Sequence, residues 1–259
     1  MVQLLFMIKL LTFYKKIQII NQRFYHIVIK DENNFSAGSF NNIYFYIKKN
    51  NTFEIYTTIE NAHNTLRKII YNSQGDLYSC GNDSLIKIWE ENNGKYENIK
   101  TLNHSAKVHS IILLETQNLL ISSGDGIKFW DINDNYKIIH SFDNTWIGYP
   151  NELEIIDNNL IIVRSSQLNY VEIISITEKK IINTIEIGFE VDAFKSIDKK
   201  GIILIGGKSK NIKIYRSDNF ECIQTIENAH DDVIAGFIEL YDGSILSYSS
   251  DNTIKIWSY

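Results

Sequence analysis

The chain repeats itself every 41 to 44 residues, and this period limits the possible folds more than any other feature. A string of the form apolar, Lys, apolar, aromatic stands at Ile86-Lys87-Ile88-Trp89, Ile127-Lys128-Phe129-Trp130, Ile212-Lys213-Ile214-Tyr215 and Ile254-Lys255-Ile256-Trp257. Weaker copies at Ile43 to Tyr46 and Val171 to Ile174 complete a series whose last positions are 46, 89, 130, 174, 215 and 257. The hexapeptide TIENAH occurs at Thr58 to His63 and again at Thr225 to His230, which points to duplication. A fixed period in this range marks an array in which each copy is one small structural unit that cannot bury its apolar faces alone.

Within each period, short β-branched and aromatic runs alternate at period two and are separated by turn residues. None carries a 3.6 periodicity long enough for a helix. In the fifth copy the predicted strands are Val191 to Ser196, Ile202 to Ile205, Ile212 to Tyr215 and Cys222 to Ile226. Four such runs make one antiparallel sheet. Six sheets stacked around an axis would bury one another face to face, an all-β propeller.

The period, the four strands per unit, an Ala-His or similar dipeptide before the first strand and an aromatic ending the third together resemble the WD40 repeat family. The resemblance covers nearly the whole chain and is most detailed in two units, at His63, Ser79, Asp83 and Trp89 and at His230, Ser247, Asp251 and Trp257. It implies that each quartet forms a hydrogen-bonded chain within one blade. The residue types suit that role, because an indole N–H only donates, a hydroxyl does both, imidazole relays between two nitrogens and a carboxylate accepts. A third unit has His104, Asp125 and Trp130, but its expected Ser position holds Ile121, with Ser122 available if the turn is shifted. In the remaining copies Tyr46, Ile174 and Tyr215 replace Trp, and Phe40, Leu168 and Ser209 stand where Asp is expected, so packing is expected to hold those blades.

Closure of the array needs one more strand. The last copy ends after its third strand, and a bare edge is a liability. Lys16 to Ile20, just before a strand at Tyr25 to Ile29, is expected to supply the missing strand. Met7 to Leu11 also faintly resembles a third strand, so seven blades or an incomplete ring stay open beside the favoured six. This reading makes residues 1–12 an apolar segment or remnant strand and 13–259 a single propeller domain.

Composition narrows the function. The 26 Lys and Arg against 31 Asp and Glu give a net charge of −5, so no nucleic-acid or anionic-membrane partner is expected. The opening apolar run is interrupted by Lys9 and is too short to span a bilayer. Only Cys80 and Cys222 are present, far apart, which fits a reducing compartment, cytoplasmic or nuclear. No Walker or GxGxxG loop occurs, and His26, His109 and His140 are scattered, so no cofactor, metal or small-molecule substrate is expected. The recurring Ser, His and Asp read as structural pegs rather than a nucleophilic triad.

The resemblance implies a non-catalytic scaffold that binds proteins or peptides through blade-joining loops and the turns between second and third strands. Here those include Asn82, Ser250, Asp231 and Asp232. A longer connection, Asp143 to Asn151, carries Trp146, Tyr149 and the only Pro. Loop aromatics are common binding anchors, although Trp146 could equally tuck over a blade lacking its own Trp. The alternatives are a propeller hydrolase with a site at the central mouth, or one module of a larger regulatory protein.

Overall fold

The structure is a computed structural model, and it describes residues 16–17, 24–50, 52–143, 150–165, 168–240 and 242–258. The alternating runs form strands, and the only helical pieces among the described residues are 3-10 turns at Glu115–Gln117 and Asp198–Lys200. No helix in the described residues is long and apolar enough to cross a membrane. The strands make six sheets. The first contains β1 (Lys16–Ile17), β2 (His26–Asp31), β3 (Asn34–Gly38), β4 (Ile43–Lys49) and β5 (Thr52–Ile59). The second has β6 (Leu66–Tyr71), β7 (Leu77–Gly81), β8 (Leu85–Asn92) and β9 (Lys95–Asn103), and the third β10 (Ser110–Leu114), β11 (Leu119–Ser123), β12 (Gly126–Asp131) and β13 (Lys137–Asp143). The fourth has β14 (Pro150–Ile155), β15 (Leu160–Ser165), β16 (Tyr170–Ser175) and β17 (Lys180–Glu186). The fifth has β18 (Val191–Ile197), β19 (Ile202–Gly207), β20 (Ile212–Arg216) and β21 (Cys222–Ile226), and the sixth β22 (Ile234–Glu239), β23 (Ile245–Ser249) and β24 (Ile254–Trp257). The chain forms two compact units, 3–151 with the first three sheets and 152–259 with the last three.

Within each unit the apolar core lies in slices between consecutive sheets. Ile43, Phe45, Leu66, Ile69 and Trp89 pack between the first and second sheets, and Ile86, Ile88, Ile111, Leu120 and Trp130 between the second and third. In the other unit, Val171, Ile173, Phe194, Ile203 and Tyr215 fill one slice, and Ile212, Ile214, Ile234, Phe237 and Ile245 the next. Second strands such as β7, β11, β19 and β23 are buried at every residue, so neither face of these sheets is a solvent face.

A second repeat appears only in the register. In each of the first five sheets the pairing between third and fourth strands slips by one residue just before the repeat's final position, at Phe45/Tyr46, Ile88/Trp89, Phe129/Trp130, Ile173/Ile174 and Ile214/Tyr215. Such a bulge leaves one extra residue on the outer strand and re-aims its partner. The extra residues are Tyr56, Ile99, Ile139, Ile182 and Ile223, each between 36% and 54% exposed. By contrast, Phe45, Ile88, Phe129, Ile173 and Ile214, opposite the slip on the third strands, are at most 1% exposed.

The edges depart from expectation at one end. Among the described residues the sixth sheet has three strands, and Lys16–Ile17, the described part of the segment Lys16 to Ile20 expected to close it, does not pair with β24. Lys16–Ile17 instead runs parallel to β5, pairing with Thr52 and Phe53. The backbone groups of these two residues are thereby used on the outer edge of the first sheet. Residues 1–12, including Met7 to Leu11, lie outside the described residues.

The bulges predict opposite costs for chemically similar changes. Ile99→Thr or Ile182→Thr should shift stability by no more than about 0.5 kcal/mol, as at other exposed positions. Ile88→Ala or Ile173→Ala should lose about 2–5 kcal/mol to the cavity it leaves. Urea unfolding of the four variants measures both, and comparable losses in the two groups would contradict this register.

Candidate functional site

Polar groups gather at the ends of the sheets where a connection between sheets meets the turn between second and third strands. In the second sheet, Trp89 Nε1 donates to Ser79 Oγ at 2.8 Å, and the same oxygen lies 2.8 Å from His63 Nε2. On the other side of the ring, His63 Nδ1 is 2.9 Å from Asp83 Oδ1. A carboxylate only accepts, so Nδ1–H donates to Asp83 and Nε2 accepts the Ser79 hydroxyl, which in turn accepts the indole N–H. The sixth sheet has the same chain: Trp257 Nε1 to Ser247 Oγ at 2.9 Å, Ser247 to His230 Nε2 at 2.7 Å, and His230 Nδ1 to Asp251 Oδ2 at 2.9 Å.

The carboxylates also fix the backbone. Asp83 accepts from the N–H groups of Asn64 and Leu85, and Asp251 from those of Asp231 and Thr253 and from the Thr253 hydroxyl. Burial works against the charge on Asp83. The hydrogen bonds from His63 and the two backbone amides outweigh it and hold the carboxyl below its ordinary range. At Asp251 burial is again opposed and overcome, by the Thr253 hydroxyl, the Asp231 and Thr253 amides and His230. Both pKa values are depressed, so their contribution to stability is present above the unfolded carboxylate pKa and is lost as the pH falls.

The third sheet holds a broken version. Trp130 Nε1 donates to Ser122 Oγ at 2.8 Å, so Ser122 and not Ile121 occupies the Ser place. Its register agrees, since Ser122 faces Lys128 as Ser79 faces Lys87 and Ser247 faces Lys255. His104 Nδ1 approaches Asp125 Oδ1 to 3.2 Å, but the approach lacks the direction of a hydrogen bond, and neither ring nitrogen has a partner. Burial and the Lys128 ammonium lower the His104 pKa to about 4, which keeps the ring neutral.

The lysine of the repeated string has a role that the sequence reading did not assign. Lys87 Nζ donates to the Ala62 carbonyl at 2.6 Å and Lys255 Nζ to the Ala229 carbonyl at 2.6 Å, each one residue before the histidine. Lys213 Nζ donates to the Ile187 carbonyl at 2.7 Å, and Lys128 Nζ to that of His104. Each ammonium ties a third strand to the connection that enters its sheet. The signal was the recurrence of Lys between two apolar positions.

Around His230 the exposed Asp231 and Asp232 and the exposed Ser250 come together. Asp232 Oδ1 accepts the Val233 N–H, its carbonyl accepts the Ser249 hydroxyl, and Ser250 N–H donates to the Val233 carbonyl. Near His63, Asn82 Oδ1 accepts from Arg67 Nε at 2.8 Å. Phe40, in the turn between β3 and β4 where Asp is expected, is instead an exposed aromatic. Trp146 and Tyr149 lie outside the described residues. Ser79 and Ser247 are fully buried and bonded on both sides, so neither presents a nucleophile.

Substitutions should expose the difference between whole and broken chains. Ser79→Ala strands both the Trp89 N–H and His63 Nε2, at about 1–3 kcal/mol each, whereas Ser122→Ala strands only the Trp130 N–H. Chemical denaturation should therefore rank Ser79→Ala as clearly the more damaging. Equal losses would show that the His63 bond contributes nothing.

The comparisons agree with this geometry. Residues 220–258 match the family model described as WD domain, G-beta repeat. No curated protein sequence matches the chain. Among solved structures, the WD40 β-propeller domain of Doa1 aligns with a TM-score of 0.57 at 17% identity, covering 93% of this chain and 94% of that one. A chain of the mitotic checkpoint complex aligns with a TM-score of 0.79 at 17% identity, covering 93% and 76%. Residues 220–258 are thus a WD40 repeat, and the chain as a whole has the fold of the WD40 β-propellers.

Proposed function

We propose that this protein is a non-catalytic scaffold, cytoplasmic or nuclear, that binds proteins or peptides through the loops at the ends of its sheets. The observation that carries the reading is the arrangement around His230. Asp231, Asp232 and Ser250 are exposed, yet their backbone is held by Asp251, Val233 and Ser249, so a partner meets a surface that is already ordered. Such preorganisation reduces the entropy lost on binding. WD40 folds commonly serve in assemblies, and the likeness to a chain of the mitotic checkpoint complex supports that reading. The carboxylates near the first strands of the second unit are engaged in ion pairs, Glu152 with Arg164, Glu154 with Lys195 and Glu190 with Lys208, which favours no hydrolytic chemistry there. Asn82, Trp146 and Tyr149 complete the proposed set of partner-binding residues.

The test is quantitative affinity capture with the full-length chain followed by mass spectrometry. Asp231→Lys with Asp232→Lys, and separately Trp146→Ala with Tyr149→Ala, should each reduce recovery of specific partners about tenfold or more, the loss of about 1.4 kcal/mol expected of a contact residue. Trp146→Ala should leave unfolding stability within about 1 kcal/mol. A partner set unchanged by every substitution would remove this surface from consideration. A large stability loss in Trp146→Ala would make that residue a packing element.

A further inference from the structure

The fourth sheet breaks the repeat at one chemically significant place. At the position where the second, third, fifth and sixth sheets carry Lys87, Lys128, Lys213 and Lys255, β16 carries Glu172. Glu172 is 5% exposed, and its Oε2 has no hydrogen-bond partner. Directly opposite stand Val163 on β15 and Thr184 on β17, and Ile161, Val163 and Ile174 on the same face are buried. The nearest cation on the sheet, Arg164, pairs with Val171 and therefore projects from the other face, where its guanidinium bonds the Val191 carbonyl and Glu152. The titratable groups of the sheet that share the face of Glu172 are Tyr170 on its own strand and Glu186 on β17, neither of them a cation at neutral pH.

An ionised carboxylate in this setting has little solvent and no cation on its own face of the sheet, whereas a protonated one is a neutral donor, as the lysine ammonium is a donor in the other sheets. We propose that Glu172 keeps its proton in the folded protein well above the pH at which an exposed glutamate loses it, and that the pull to ionise as the pH rises from the acid range toward neutrality loosens the fourth sheet, making this sheet a built-in pH-sensitive element. The direction of the pKa agrees, since burial pushes it from 4.5 up to about 7 with no offsetting charge. With the folded pKa raised, the stabilisation is complete below the unfolded pKa and is lost as pH rises through the folded one.

Two measurements on the full chain test this. Thermal and urea unfolding of the wild type and Glu172→Gln are compared from pH 4 to pH 9. Relative to Glu172→Gln, the unfolding constant of the wild type should rise roughly tenfold per pH unit between 4.5 and about 7 and then level off. Parallel profiles for the two proteins would overturn the proposal. Because Glu172→Gln depends on a folded variant, the side-chain carboxyl carbons of the wild-type glutamates are also followed by ¹³C NMR. One glutamate titrating near neutrality is the expected result, and all glutamates titrating in the ordinary carboxylate range would equally overturn it.

Discussion

A sheet whose second strand is buried at every residue has to be covered on both faces, and this requirement governs the rest of the molecule. β7, β11, β19 and β23 contain no solvent-facing position, so the half-exposed alternation of an ordinary surface sheet is absent from them. Most of the core is consequently divided into slices shared by two consecutive sheets, beside a cluster of Phe24, Phe35, Tyr44, Tyr46 and Phe53 on the first sheet. Stability then accumulates mainly from neighbour to neighbour, as in other repeat proteins. Variation in loop length costs little, because the loops stand at the ends of the sheets and outside the slices.

Local irregularities make the slices fit. In the first five sheets the bulge just before the repeat's final position turns Tyr46, Trp89, Trp130, Ile174 or Tyr215 into the core and displaces one outer-strand residue toward solvent. Once an indole is buried there, its N–H needs an acceptor, and Ser79, Ser122 and Ser247 supply one from the adjacent second strand. The lysine one turn of alternation earlier faces the entering connection and anchors its carbonyl. A four-residue string thus specifies a strand, a core plug and a tether.

Much of this was legible in the sequence. Strands expected at Val191 to Ser196, Ile202 to Ile205, Ile212 to Tyr215 and Cys222 to Ile226 appear as β18 to β21 with ends moved by two residues at most. What escaped had physical causes. The Ser place in the third sheet stayed open between Ile121 and Ser122, because the segment from Ser to Trp is shorter there, eight residues against ten in the second and sixth sheets, and spacing alone does not locate a deletion within a turn. The bulges were invisible because the extra residue lies on an outer strand, where apolar and polar side chains are both tolerated. The expected pairing of Lys16 to Ile20 assumed that a bare edge dictates its partner. Lys16–Ile17 lies on β5 instead, and strand order of this kind is not encoded in alternation.

The degenerate sheets show what the hydrogen-bonded quartets are for. The first sheet has no Trp and no Asp in the repeat positions, yet Tyr46 stacks on Phe35 at 4.4 Å and the sheet forms. The fourth and fifth sheets form around Ile174 and Tyr215 in the same way. Strand pairing therefore does not require the quartet. What differs where it is complete is the connection: His63 and His230 stand outside the strands, and Asp83 and Asp251 reach back to the amides of Asn64 and Asp231 just beyond them. The quartet spends buried polar groups on fixing the course of a loop, which a core made only of apolar contacts cannot do, because dispersion and burial have no direction. Loops fixed in this way, those of the second and sixth sheets, hold their side chains in a constant arrangement that the purely apolar sheets do not impose on theirs.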